Sequence, residues 1–165
     1  MSVTDAAGNP IAAPLDNTDL TGGDNTVIVD NTRPTVVITR NAPLAANGTV
    51  NGTNASSVSF DLAFSEGITD LDLSDITLNL GGATIGGSGT SGLASGFGAN
   101  VSLTTDVAYS DFTLTVSNVA GDGTLGITLT ASAFTDHAGN QMSANAVSNT
   151  FTIDNTLPTV VITRN

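Results

Sequence analysis

The chain of 165 residues has no cysteine, no lysine and no tryptophan, and it has one glutamate, one histidine and three arginines. Each shortage excludes something. Without cysteine there is no disulfide frame, no thiolate metal site and no cysteine nucleophile. Three arginines stand against 15 acidic residues, a formal net charge of −12, so the chain is not built to track a nucleic-acid backbone or an anionic membrane surface. No apolar run approaches the roughly 20 residues that a membrane-spanning helix needs. The lone His137 leaves little material for acid–base work near neutral pH and does not assemble into a Ser-His-Asp triad, so the chain is read as not an enzyme. The Gly-rich stretch 81–98 lacks the Gly-Lys-Ser/Thr ending of a phosphate loop. Two carboxylates can form a glycosidase pair in principle. Only seven aromatics are present, six of them expected in or near the core, which leaves no sugar-stacking platform.

What is present points to strands and turns. Of the acidic residues 14 are Asp and one is Glu. Asp favours turns, caps and hard-cation sites, whereas Glu favours helices. Thr (26), Gly (18) and Asn (16) agree, because Thr suits strands while Gly and Asn suit turns. No segment sustains an i, i+3, i+4 apolar pattern, so the fold class is all-β. Hydrophobic residues make up 39%, enough for one core and little more than one domain.

Organisation comes from internal repetition. Residues 30–41 (DNTRPTVVITRN) and 154–165 (DNTLPTVVITRN) match at eleven of twelve positions, at an offset of 124. Residues 4–9 (TDAAGN) resemble 135–140 (TDHAGN), and 25–30 (NTVIVD) resemble 149–154 (NTFTID). The first copy holds seven more residues between its motifs, in the Asp/Gly-rich stretch LDNTDLTGGDN, read as a longer loop. Similarity at a fixed period marks an array of modules. The expected division is 1–30 as the C-terminal part of a preceding repeat plus linker, 31–154 as one complete repeat, and 155–165 as the first strand of a next one. Met1 is followed by neither a basic region nor an apolar one, so no secretory leader is read there. Four Asn-x-Ser/Thr sequons, at Asn47, Asn51, Asn54 and Asn100, follow from an Asn/Thr-rich composition.

Within the repeat, alternation of period two predicts seven strands: 35–40, 57–64, 75–80, one near 100–104, 111–117, 124–130 and 147–154. The expected inward residues are Val58, Phe60, Leu62 and Phe64, then Ile76, Leu78 and Leu80, then Val101 and Leu103. Phe112, Leu114 and Val116 follow, then Leu125, Ile127 and Leu129, and last Val147, Phe151 and Ile153. One apolar and one polar face per strand, seven times in about 124 residues, predicts an Ig-like antiparallel β-sandwich. Stretch 81–98 is a long Gly/Ser connection with room for a short extra strand near 83–85.

Four motifs in order, F-S-E (64–66), S-D-I-T (74–77), T-D-x-A-G-N (135–140) and F-T-I-D-N-T-x-P (151–158), resemble the bacterial Ig-like repeats of giant surface adhesins and biofilm-associated proteins. The resemblance implies a secreted spacer on the bacterial cell surface, with neighbouring repeats of the same chain as partners and Ca²⁺ at the junctions between domains. The D-N-x-x-P linker is also similar to the Ca²⁺ linker of cadherins. A different class stays open beside the spacer, an adhesion module that binds a glycan or a protein through its loops, and an enzyme accessory domain stands behind both.

Strand parity gathers three loops and the incoming linker at one end. They carry Asp30, Glu66, Asp70, Asp72, Asp75, Asp106, Asp111 and Asp136, eight of the 15 acidic residues, and a cation is the natural counterweight. All-oxygen donors suit Ca²⁺ better than a transition metal. The candidate ligands are Asp30, Asn31, Glu66, Asp70 and Asp136, with Asp154 as the repeat of Asp30. Each has a plainer reading: 136–140 as a hairpin turn with Gly139 or Asn140 at positive φ, Glu66 as a solvated strand end, and Asp70 and Asp72 as turn acids. His137 is expected to face solvent. Finally, the TVVIT of 159–163 repeats that of 35–39, so head-to-tail self-association is an expected outcome beside two merely mobile ends.

Overall fold

A computed structural model describes residues 29–41, 49–51 and 57–164. The chain divides into two units, Met1–Asp30 and Asn31–Asn165. Of the first, only Val29 and Asp30 are among the described residues, so the tail of a preceding repeat and its Asp/Gly-rich loop lie outside them.

The second unit is mostly β. Its strands in chain order are β1 (Val36–Asn41), β2 (Thr49–Asn51), β3 (Ser57–Phe64), β4 (Ile68–Thr69), β5 (Ile76–Gly81), β6 (Thr84–Ile85) and β7 (Gly92–Leu93). They continue as β8 (Val101–Thr105), β9 (Asp111–Ser117), β10 (Val119–Ala120), β11 (Gly123–Leu129), β12 (Thr135–Asp136), β13 (Ala146–Val147) and β14 (Phe151–Asp154). A short 3₁₀ helix, Ala94–Asn100, precedes β8. Four strands pair in the order β1-β3-β9-β8, antiparallel throughout. A second sheet runs β2-β14-β11-β5-β7, with β13 also on β11; only β2 is parallel to its neighbour. Two-stranded ribbons join β6 to β10 and β4 to β12.

Alternation explains the core. Val58, Phe60, Leu62 and Phe64 of β3 are buried together with Phe112, Leu114 and Val116 of β9. They share one cluster with Ile76 and Leu78 of β5, Leu125, Ile127 and Leu129 of β11, and Phe151 and Ile153 of β14. The inner faces of the two larger sheets thus meet in a single core. Phe60 and Phe151 touch edge to face across it, with ring centres 5.0 Å apart. Phe64 packs the same way on Phe112 and Phe134. Such pairs contribute roughly 0.5–1.5 kcal/mol each beyond area burial.

The segment 147–154 departs from expectation. It is two strands, and Val147, expected inward, is 68% exposed. The register shows why. Leu129 and Thr128 face Ala146 and Val147, but Leu125 faces Phe151, so one extra residue lies on the 147–151 side. That is a β-bulge, and one inserted residue turns every earlier side chain to the other face. Ser148 holds it: its Oγ accepts the Ile127 amide at 2.9 Å, and its own amide donates to Ile127 O at 3.0 Å.

The Gly/Ser stretch after β5 is ordered. It supplies β6 near the expected 83–85, then β7 and the 3₁₀ helix, and it buries Ala83, Ile85 and Ala94. Residues 155–164, expected as a next first strand, form none, and apart from half-buried Asn155 they are exposed.

Candidate metal centre

The ribbon of β4 and β12 sets the site. It pairs Asp136 with Ile68 and Thr135 with Thr69, whose hydroxyls lie 3.1 Å apart. This brings the 135–140 turn beside the chain that leaves β3. Asp136 is 2% exposed. Its Oδ1 accepts the amides of Ala138 and Asn140, both at 2.8 Å, and its Oδ2 accepts Asn140 Nδ2 at 2.9 Å. The Gly139 and Asp136 amides close the turn on Asp136 O and Asn140 O, with Gly139 at φ +90°. Of the two residues expected to take positive φ, Gly139 does so. Burial pushes the Asp136 carboxyl up, but the hydrogen bonds from Asn140, Ala138 and Gly139 together outweigh it and hold the group below the ordinary carboxylate range.

Glu66 follows β3 directly. Beside it Ser65 fastens the lead-in to β1: the Ser65 amide donates to Thr35 O at 2.9 Å, and Thr35 donates to Ser65 Oγ at 3.0 Å. Pro34 is buried, and Arg33 Nη1 donates to Gln141 O at 3.3 Å. Gly67 comes next because a side chain has no room there. A Cβ would lie 2.9 Å from Ala108 O and 3.1 Å from the His137 ring. The Phe64 and Ile68 amides donate to Ser110 O and Tyr109 O, both at 2.8 Å, which ties the 106–110 turn to the same place.

Within the second unit, one carboxylate oxygen of Glu66 lies within 4.8 Å of one of Asp136. The all-oxygen donor set is of the kind that a hard cation takes.

The remaining candidates stand elsewhere. Asn31 is exposed next to Asp30. Asp70, at φ +64° in the turn after β4, borders a hollow of about 230 Å³ with Ile68, Thr69, Tyr109 and His137. His137 is exposed, with Nδ1 3.2 Å from Gly67 O. Asp154 ends β14, whose Ile153 faces Gly123 at the start of β11, whereas Asp136 follows the far end of β11. The seven residues of β11 put roughly 20 Å between them.

Other acids serve their own loops. Asp72 Oδ1 accepts the Ser74 amide at 2.6 Å and its hydroxyl at 2.5 Å, which lowers the Asp72 pKa. Asp106 Oδ1 accepts the amides of Ser110 and Asp111 at 3.1 and 3.3 Å. Sequence reasoning missed Asp122, which sits in the turn between β10 and β11. Its Oδ1 accepts the Asn155 amide at 2.6 Å and its Oδ2 the Thr156 hydroxyl at 2.5 Å, and Asn155 Nδ2 donates to Gly121 O at 2.7 Å. The only local signal was an Asp between two glycines, and its partners lie more than 30 residues on.

Comparison with known proteins finds no matching family model and no significantly similar curated protein.

Proposed function

We propose that the chain is a Ca²⁺-stiffened, Ig-like spacer repeat of an extracellular bacterial surface protein. The observation that carries the reading is the approach of Glu66 and Asp136, two hard-oxygen donors of like charge, to within 4.8 Å. The pairing order supports the Ig-like part. Constant-type Ig domains set their first, second, fifth and fourth strands in one sheet against the third, sixth and seventh. Here β1-β3-β9-β8 stand against β5, β11 and β14 in the same sense. The recurrence of D-N-T-x-P-T-V-V-I-T-R-N supports the tandem array, as does the resemblance to adhesin repeats.

In this reading Ca²⁺ supplies positive charge against three carboxylates. The chain's own residues do the positioning. The amides of Ala138 and Asn140 hold the Asp136 carboxylate ionised and fixed, and the exchange between Ser65 and Thr35 holds the lead-in after Asp30. An ion that also takes Asp30 of the linker as a ligand removes hinge freedom there, so the role is mechanical.

A thermal melt tests it. Binding to the folded state alone stabilises by RT ln(1 + [L]/Kd), about 2.7 kcal/mol at a hundredfold excess over Kd. Millimolar Ca²⁺ raises the melting temperature and chelation reverses the rise. Asp30→Asn and Glu66→Gln shrink the shift, while Asp61→Ala, on the outer face of β3, keeps it. Equal melts with Ca²⁺ and with chelator remove the metal centre; a uniform loss from all three substitutions means diffuse charge screening.

A further inference from the structure

The octapeptide PTVVITRN stands at 34–41 and again, without a change, at 158–165. The first copy forms β1, an edge strand whose register on β3 runs from Val36 opposite Phe64 to Asn41 opposite Ser59. Its side chains complete the place. Val36 and Ile38 are half-buried against the core. Arg40 donates to Thr150 O and lies over the Phe151 ring at 5.8 Å, and Asn41 Nδ2 donates to Asp61 Oδ2 at 2.7 Å. In the second copy the corresponding apolar residues face water: Val160 is 82%, Val161 86% and Ile162 89% exposed. Asp122 fixes Asn155 and Thr156 just ahead of them.

We propose that residues 158–165 of one molecule take the β1 place on β3 of a second molecule, head to tail. All of these β1 contacts arise from the eight shared residues, so the incoming segment makes the same set in the same register. A contact of this kind does not close on itself and gives open chains. The resident β1 has the advantage of its tether, a high effective concentration at its own β3. Exchange therefore grows with protein concentration, and it grows most when the resident copy is weakened and the second is intact. The inference uses no bound ion and stands apart from the Ca²⁺ reading, so chelator leaves its outcome unchanged.

The test is light scattering and melting across a concentration series, in chelator, on the full chain. Ile38→Asp weakens only the resident strand. It assembles to dimers and beyond as concentration rises, and its melting temperature rises with assembly. The double variant Ile38→Asp/Ile162→Asp stays at monomer mass with a concentration-independent melt, and Ile162→Asp alone behaves as a stable monomer. Ile38→Ala with its matching double repeats the comparison at a gentler perturbation. If both resident-strand variants match their doubles in mass and melting at every concentration, folded or unfolded, the second copy is not a competent replacement and the proposal is overturned.

Discussion

Asp75 and Asp136 are both nearly out of water, 8% and 2% exposed, yet their acidities move in opposite directions. Burial pushes the Asp75 carboxyl up. The Asp72 amide, donating to its Oδ2 at 2.8 Å, pulls it down, and repulsion from Asp72 and Asp70 pushes it up again, leaving it raised. Asp136 is held low by its turn amides and Asn140. The linkage signs follow. A raised carboxyl works against the fold while ionised, and that penalty fades as pH falls through its folded pKa toward the unfolded value, about 3.9. A depressed carboxyl contributes stability that is present above the unfolded value and lost as pH falls through the lower folded one. Asp75→Asn, which keeps an acceptor for the Asp72 amide, costs less than about 0.5 kcal/mol at pH 7 or stabilises, since no charge remains to be buried. Any gain fades towards pH 4. Asp136→Asn lowers the melting temperature clearly at pH 7, and its deficit narrows as pH falls below the unfolded value, about 3.9, towards the lower folded one. Melts of both variants at neutral and acid pH check this; equal losses at pH 7 contradict it.

At the level of strands, the start of β11 and the bulge on its partner set the second sheet. Gly123 sits at φ +151°, where a Cβ would stand 2.2 Å from Gly81 O and 2.6 Å from Ala83 N. No side chain fits there without parting β11 from the end of β5. Gly123→Ala is expected to destabilise by more than about 1 kcal/mol, since both the backbone angle and the space oppose it. Val147→Ser, on the face that the bulge turns outward, is expected to stay within about 0.5 kcal/mol. Urea unfolding midpoints of the two variants separate these outcomes. A costly Val147→Ser would mean that its side chain lies inward, as alternation alone had placed it.

On the scale of the whole chain, the D-N-T motif is held at its second occurrence by Asp122. The Thr156 hydroxyl and then the Asn155 amide on Asp122 lower its pKa. Asp122→Ala frees 155–164 from the turn before β11 and leaves the core untouched. Amide exchange at Asn155 and Thr156 is expected to speed up several-fold, with the exchange of β11 interior amides unchanged, because the motif opens locally. Unchanged exchange at Asn155 shows that some other contact holds the segment.

The sequence by itself determined the β class, six of the seven strands to within a residue or so, and most of the core, because alternation is local and each inward residue is apolar. It also named the candidate ligands by type and loop. Tertiary structure decided which of them meet. Asp136 reaches the neighbourhood of Glu66 through the pairing of β12 with β4 across 66 residues, whereas Asp70 borders a separate hollow and Asp154 lies a strand length off. It also decided that Val147 faces water, because Ser148 takes the Ile127 amide and inserts one residue. Period-two patterning fixes a side within one strand. A bulge, a ribbon between distant loops and an Asp122 clamp are set by partners far along the chain, which no local pattern contains.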